Sequence, residues 1–366
     1  MARKLNSDRV LFLATILLVG LSIVMVYSAS AVVAMERYRQ PNLFLVKQVM
    51  WATLGIAILR LVMRLDYRTY REPAFLWTGL GVVAICLFAV LFSPPVNGAR
   101  RWFSILGLGV QPSELAKLVS ILFIAALLER RMQRIDDIGY SLVPIGLVVA
   151  GFAGLIVLEP DFGTAMSLVI IAGVMVFAAG LSYRFIVGAA LCVLPAVYIV
   201  AMSTAYRRRR MLAFLNPWED PLGDGFQIIQ SFIAIGTGGV WGRGLMNGVQ
   251  KLFYLPEPHT DFIYSVIAEE LGLVGATVVL ICFCVITWRG IRVALRAPDR
   301  FGALLAFGLT AMVAVQAFMN ISVVLGLMPT KGIPLPFVSA GGSSLLINLL
   351  GMGILLNVSQ HASTEA

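Results

Sequence analysis

Ten apolar stretches of near membrane-spanning length recur along the chain, and they limit it to one kind of architecture. They run roughly 10–30, 44–63, 74–92, 113–129, 141–158, 163–181, 185–203, 263–288, 302–327 and 337–357. Crossing a bilayer takes about 20 helical residues at a rise of about 1.5 Å each. The shorter stretches fall a little below that, a deficit that tilt or local thinning absorbs. Lipid offers backbone groups no hydrogen bonds, so each stretch must satisfy its own as a helix. The expectation is an all-α polytopic membrane protein of about ten transmembrane helices, one domain over 1–366, with both termini on one side.

Composition agrees. The 366 residues are 59% hydrophobic and only 13% charged, against about half and about a quarter in a soluble domain. Cys86, Cys192, Cys282 and Cys284 all lie in apolar runs, which argues against a disulfide framework or a thiolate metal cluster. With only His259 and His361 in the chain, a histidine-rich metal centre is also excluded. Arg3, Lys4 and Arg9 precede the first apolar run, and Ser28-Ala29-Ser30-Ala31 ends it, a pattern shared with secretory signals. The run exceeds the roughly 7–15 residues of a signal core and further spans follow, so it reads as an uncleaved first helix.

Charge sets the orientation. If the N-terminus is cytoplasmic, fifteen of the 28 Lys and Arg residues lie inside. Of the thirteen outside, six fall in the 204–262 stretch, and long loops count little in the positive-inside rule. Both termini are therefore expected in the cytoplasm, with the large loop between helices 7 and 8 outside. That loop is too long for a simple connector. It carries Trp218, Phe226, Ile228, Ile229, Phe232, Trp241, Phe253 and Tyr254, large apolar groups that a disordered linker lacks. Short interfacial helices are expected in it.

Polar residues near the outer ends are the candidates for chemistry. Arg207 to Arg210 suit either anionic headgroups or a phosphate or pyrophosphate, whose oxygens match guanidinium forks. Gly98-Ala99-Arg100-Arg101-Trp102 is a second basic feature. Glu114 and Lys117 stand three residues apart on one helix face, as a mutual pair or with the lysine also meeting an anion. Glu159-Pro160-Asp161 forms a turn that reads first as solvated, though two carboxylates there could bind a divalent cation. The densest cluster is Leu255 to Phe262, followed by Glu269-Glu270. Asp261 within it is either the N-cap of the next helix or a general base, with burial raising its pKa and arginines lowering it. His259 is a base or a plain loop residue. Lys331 to Ser344 brings two prolines and Gly-Gly-Ser-Ser into the last span, a broken helix whose N-terminal end would face an anion.

Taken together, Val26–Ser30, Asn97–Trp102, Gln111–Lys117, Arg207–Arg210, Phe214–Trp218, Leu255–Phe262 with Glu269–Gly272, and Lys331–Ser344 resemble the SEDS family (shape, elongation, division and sporulation) of membrane glycosyltransferases. The resemblance covers almost the whole chain in order. It is closer to the FtsW-like division branch than to the RodA-like elongation branch. One departure is Ala340, where the family commonly has tyrosine. The resemblance implies polymerisation of lipid II into peptidoglycan strands at the outer face of the bacterial cytoplasmic membrane, at the division septum. It implies Asp261 as the catalytic residue, acting on lipid II and undecaprenyl-pyrophosphate-linked glycan. Arg101, Trp102, Glu114, Lys117, Arg207, Arg210, His259, Lys331 and Ser339 are the expected substrate-binding set. A divalent cation, Mg2+ or Mn2+, is implied without assignable ligands. A class B penicillin-binding protein and other division proteins are the implied partners. A lipid II transporter and a non-catalytic division scaffold are the rival readings. The transporter needs ionisable residues on several spans near the midplane, and such residues are scarce here.

Overall fold

The computed structural model describes residues 7–95, 99–105, 108–203 and 205–362, and among them lie twelve α-helices and one short β-hairpin. The helices are α1 (Arg9–Tyr38), α2 (Leu43–Val62), α3 (Pro73–Val90), α4 (Pro112–Arg131), α5 (Val143–Leu158), α6 (Phe162–Ala178), α7 (Tyr183–Met202), α8 (Ala205–Leu215), α9 (Phe226–Gly238), α10 (Ile263–Arg296), α11 (Arg300–Val324) and α12 (Gly342–His361). All ten expected spans are helices. Seven described helical stretches, α1, α2, α3, α5 with the turn before it, α10, α11 and α12, are long and apolar enough to cross a membrane. α4, α6 and α7 complete the ten. The long loop holds α8 and α9, the short helices its apolar content called for. The hairpin, Phe103–Ile105 paired antiparallel with Leu108–Val110, has no counterpart in the sequence reading, since three-residue strands leave no periodicity to see.

Burial sorts the spans. In α12 and α11, 83% and 72% of the most apolar window is buried, against 28% in α3 and in the α5 span. α11 and α12 form the centre, and α3 and α5 turn most of their apolar surface to lipid. Small residues let the central helices approach closely. A Cβ at Gly308 would meet Ile121 and Met175 at 2.7 Å, and one at Gly353 would stand 2.9 Å from the Leu59 carbonyl oxygen.

The start of α1 and the end of α12 lie together at one end of the bundle, the terminal end. The Asp8 amide donates to Ser359 Oγ at 3.1 Å, and Arg289 Nε donates to the Asp8 carboxylate at 2.7 Å. Nearby, the Tyr67 hydroxyl donates to Asp299 at 2.5 Å, and the Tyr67 amide donates to the Asn357 side chain at 3.0 Å. These contacts tie α1, the α2–α3 connection, the α10–α11 connection and α12 together. Ser28, in the stretch that mimics a cleavage site, stays helical and buried, with its hydroxyl 2.7 Å from Glu270.

At the opposite, loop end, two spans are irregular. α10 breaks at Gly272, whose φ of +67° lies in the left-handed region that glycine tolerates. The loop after α9 threads this break. Leu273 and Val274 donate to the carbonyls of Gly239 and Val240, while Arg243 and Gly244 donate to those of Glu269 and Glu270. A Cβ on Gly272 would come within 2.3 Å of the Gly242 nitrogen. Backbone freed from a helix at this depth needs such partners.

The last span begins later than expected, at Gly342 rather than near 337. Pro334 and Pro336 lack the amides that a helix would bond, which disfavours helix there. Phe337 takes a left-handed φ of 63°, and the Leu335 amide donates to Ser339 Oγ at 2.8 Å. Gly342 starts α12 because a Cβ there would stand 2.1 Å from Trp51 Nε1.

Glu269 and Glu270 anchor the long loop. Glu269 accepts from the amides of Val249 (2.7 Å) and Gln250, and Glu270 accepts from the Met246 amide (3.0 Å), Ser28 and Lys251. The Lys251–Glu270 pair is 2.5 Å apart, with side chains 4% and 0% exposed. Removing one partner of such a pair leaves a buried charge uncompensated, at a cost of about 3–5 kcal/mol. Lys251→Met is therefore expected to lower stability by about that amount, measured as thermal or denaturant unfolding in detergent.

Candidate active site

Residues far apart in sequence meet at the loop end around a cavity of about 380 Å³. Arg101 and Trp102 from the segment just before the hairpin, Arg210 from α8, Asp261 from the turn before α10, Lys331 from the α11–α12 connection and Gly341 at the start of α12 all line it. Each arrives by a local device. Trp102 lies over Gly109 of the hairpin, where a Cβ would be 3.1 Å from the ring. Arg101 donates from Nε to the Glu159 carbonyl at 3.1 Å, and its Nη2 also donates to the Pro160 carbonyl. Gly163 gives Ile333 room, since a Cβ there would be 2.8 Å from that side chain, and so lets the Lys331 segment settle on α6.

Asp261 does not cap α10. The N-cap is Phe262, and no side chain caps that helix. Burial pushes the Asp261 carboxyl up to about 7, aided by Glu257 and Asp161 and opposed by Arg101 and Arg210. Desolvation thus outweighs the arginines, leaving a carboxylate poised near neutral pH. Across the cavity, Lys331 stands 4.3 Å from the Phe162 ring centroid, and burial lowers its pKa to about 8. α12 opens at the same place with Gly341 as its N-cap and no side-chain cap, so its first amides and positive dipole end adjoin the cavity.

Other expected site residues stand apart. Glu114 and Lys117 form a mutual pair at 2.8 Å inside α4, 2% and 3% exposed, and neither lines the cavity. His259 is buried, with its ring centroid 4.6 Å from that of Phe44. Burial lowers its pKa, against the opposing pull of Glu257, so the imidazole is neutral. It faces a second cavity of about 190 Å³ beside Lys47 and Trp51, and Trp102, Thr260, Ala340 and Gly341 border both spaces. The Ser339 hydroxyl is engaged by backbone, donating to the Thr260 carbonyl at 2.5 Å and accepting from Leu335. The side chain of Arg207 lies outside the described residues.

The Glu159–Asp161 turn is a correction. It is not solvated: Glu159 is 0% and Asp161 2% exposed. Asp161 caps α6, accepting from the Thr164 amide at 3.1 Å, and also accepts from Gln111 Nε2 at 2.9 Å. Gln111 and Thr164 line the cavity and were not singled out by the sequence reading. Gln111 could have been, because it opens the quoted Gln-Pro-Ser-Glu run. Among the described residues no group of three or more His, Cys, Asp or Glu is placed to hold a metal ion. The cavity presents Arg101, Arg210 and Lys331 beside the carboxylates of Asp261 and Glu257.

The chain has clear relatives. Residues 8–364 match the FtsW/RodA/SpoVE family, described as cell cycle proteins. The Geobacter sulfurreducens protein named probable peptidoglycan glycosyltransferase FtsW is 44% identical over 358 residues, covering 96% of this chain and 95% of that protein. Stage V sporulation protein E of Bacillus subtilis is 42% identical, covering 98% of this chain and 99% of that one. Among solved structures, a chain from a peptidoglycan synthase complex that coordinates polymerization and crosslinking superposes with a TM-score of 0.81 at 32% identity, over 98% of this chain and 99% of its own.

Glu159 supplies a test of the buried turn. Burial raises its pKa to about 8, Asp161 adds to the rise and Arg101 opposes it. The folded state therefore holds this proton more tightly than the unfolded state. The stability that it contributes is full below the unfolded-state value of about 4.5 and is lost as pH rises through about 8. Asp261 contributes the same sign up to about 7. Glu159→Gln is expected to flatten the decline in melting temperature between about pH 4.5 and 8, and between 7 and 8, where Asp261 no longer contributes, the change reports Glu159. Thermal scans of both proteins across pH 4–9 check it.

Proposed function

The chain belongs to the FtsW/RodA/SpoVE family of cell cycle proteins, and from that membership we propose that it polymerises lipid II into peptidoglycan glycan strands with Asp261 as general base. The protein is a multi-pass membrane peptidoglycan glycosyltransferase of the FtsW-like kind. The observation that carries the mechanism is the Asp261 carboxylate, held near neutral pKa by burial, in a cavity that it lines together with Glu257, Arg101, Arg210 and Lys331.

The step is an inverting glycosyl transfer. Asp261 takes the proton from the acceptor sugar's hydroxyl as that oxygen attacks the donor's anomeric carbon. The bond from that carbon to the pyrophosphate oxygen breaks, and its electron pair leaves with undecaprenyl pyrophosphate. Negative charge grows on the leaving group, so Arg101, Arg210, Lys331 and the open end of α12 stabilise the transition state more than the ground state. Pyrophosphate needs no proton to depart, so one carboxyl group suffices. General-base assistance is worth about 10²–10⁴-fold, and holding two lipid-anchored sugars together adds more. A divalent cation, if one takes part, would be held chiefly by pyrophosphate oxygens, and no step here runs through it.

The loop end then faces outward, as the charge asymmetry requires, and meets lipid-linked sugar outside the cytoplasmic membrane. Septal placement and a class B penicillin-binding protein partner are part of the same reading. They are supported by the FtsW-named relative and by the synthase complex whose chain superposes on this one. A transporter of lipid II would need passage to the terminal end, where α1, α12 and two connections are hydrogen-bonded together.

Asp261→Asn is expected to fold, to bind lipid II and to make no polymer from purified lipid II in a gel assay. Full activity would remove the base assignment, and flipping in liposomes without polymer would favour the transporter. Cell-division complementation by Asp261→Ala would favour the scaffold. In the wild type the base must be deprotonated and Lys331 protonated. The rate should therefore rise through about pH 7 and fall above about pH 8, a narrow bell in kcat/KM.

A further inference from the structure

Three consecutive carbonyls lead up to the catalytic carboxylate, and each is held by a different donor. The His259 carbonyl accepts from the Ala340 amide at 2.9 Å, and the Thr260 carbonyl accepts from Ser339 Oγ at 2.5 Å. The Asp261 carbonyl accepts from the side-chain amide of Asn320 at 2.8 Å. The same Asn320 nitrogen donates its other hydrogen to the Ile333 carbonyl at 2.7 Å. Asn320 is 1% exposed, near the loop end of α11. A buried amide costs free energy unless paired, and here one hydrogen is used on the turn before α10 and the other on the α11–α12 connection.

The geometry on the far side of Asp261 completes the arrangement. A Cβ at Gly332, the residue before Ile333, would lie 2.9 Å from Asp261 Oδ2. The carboxylate thus rests against the Gly332 backbone while Asn320 ties the backbone carbonyl of Asp261 to the residue just beyond. Ser339 and Ala340 restrain only the two residues upstream. Asn320 bonds the backbone of the residue that carries the carboxylate, and it couples that residue to the segment that bears Lys331.

We propose that Asn320 is a positioning residue for glycosyl transfer: its amide sets the reach of the Asp261 carboxylate relative to Lys331 and the Gly332 backbone. The proposal rests on the reading of Asp261 as the base. Asn320 touches neither substrate nor reacting atoms. A misplacement of about 1 Å at a reacting group costs on the order of 10²-fold in rate, and losing the Asn320 bonds to the Asp261 and Ile333 carbonyls permits a shift of that size.

The test uses the full-length protein, purified and supplied with lipid II. Asn320→Ala is expected to lower kcat about 10²-fold per folded molecule while KM stays within about threefold. The acid limb of its pH–rate profile should move to lower pH, because a loosened Asp261 gains water. Asn320→Gln, which keeps both N–H groups, should regain part of the loss. A purely structural asparagine would lower the melting temperature and leave the pH profile and the kcat of the folded fraction unchanged, which would overturn the proposal. Should Asn320→Ala fail to fold, Gly332→Ala presses on the carboxylate from the other side without removing a buried hydrogen bond. It should show the same kcat-dominated loss, and wild-type kcat there would overturn the proposal. Asp261→Asn separates the two claims. If that variant polymerises at the wild-type rate, the base reading fails. If it is inactive while Asn320→Ala keeps wild-type kcat, the base reading stands and the positioning role falls.

Discussion

The Lys251–Glu270 ion pair, closed over by Ser28, is the contact on which the loop end of this protein depends. α10 is broken two residues after Glu270, and irregular backbone at that depth survives only if its polar groups find partners inside the protein. Glu269 and Glu270 accept the amides of Met246, Val249 and Gln250, and the loop around Gly242 pairs with the frayed carbonyls of α10. Leu255 to Asp261 leads from this anchored loop straight into α10. A catalytic carboxylate on a loop is as well placed as the loop is held, and here a carboxylate pair does the holding.

The cavity shows how opposed electrostatic effects are balanced. Two arginines acting on the Asp261 carboxylate would ordinarily lower its pKa. Burial overrides them, with Glu257 and Asp161 in support, and the group settles near 7. Lys331 is shifted the other way by the same cause. One desolvated pocket therefore holds a base that is basic enough and a cation that is still charged at neutral pH. The uncapped start of α12 adds a positive end that carries no proton and does not titrate. Glu114 and Lys117, also buried, are satisfied by each other deeper in α4 and contribute to the scaffold under this pocket.

The helices were legible because their signal is local: a long apolar run has one stable backbone form in lipid. The loop helices were legible in kind, since large apolar residues in a polar stretch must pack somewhere. The start of α12 was misjudged by about five residues, because hydropathy does not register that Pro334, Pro336 and a left-handed Phe337 hold Lys331–Gly341 out of the helix. The Glu159 turn was misread for a related reason. A Glu-Pro-Asp sequence looks solvated until α4 and the segment before the hairpin close over it with Gln111 and Arg101. Asn320 gave no signal, being an amide in a mostly apolar span with partners 13 and 59 residues away.

By itself the sequence determined a ten-span helical membrane protein, its charge asymmetry, an ordered outer loop and, through seven ordered motifs, its family. Tertiary structure decided which of the polar residues share a cavity. It set Arg101, Arg210 and Lys331 around Asp261, and turned Glu114 and Lys117 toward each other. It also sent Ser339 to the backbone and His259 to a neighbouring space. The physical reason is that hydropathy and motif spacing are properties of neighbours along the chain. Desolvation, ion pairing and the satisfaction of loop carbonyls depend on what the folded bundle brings within about 3 Å.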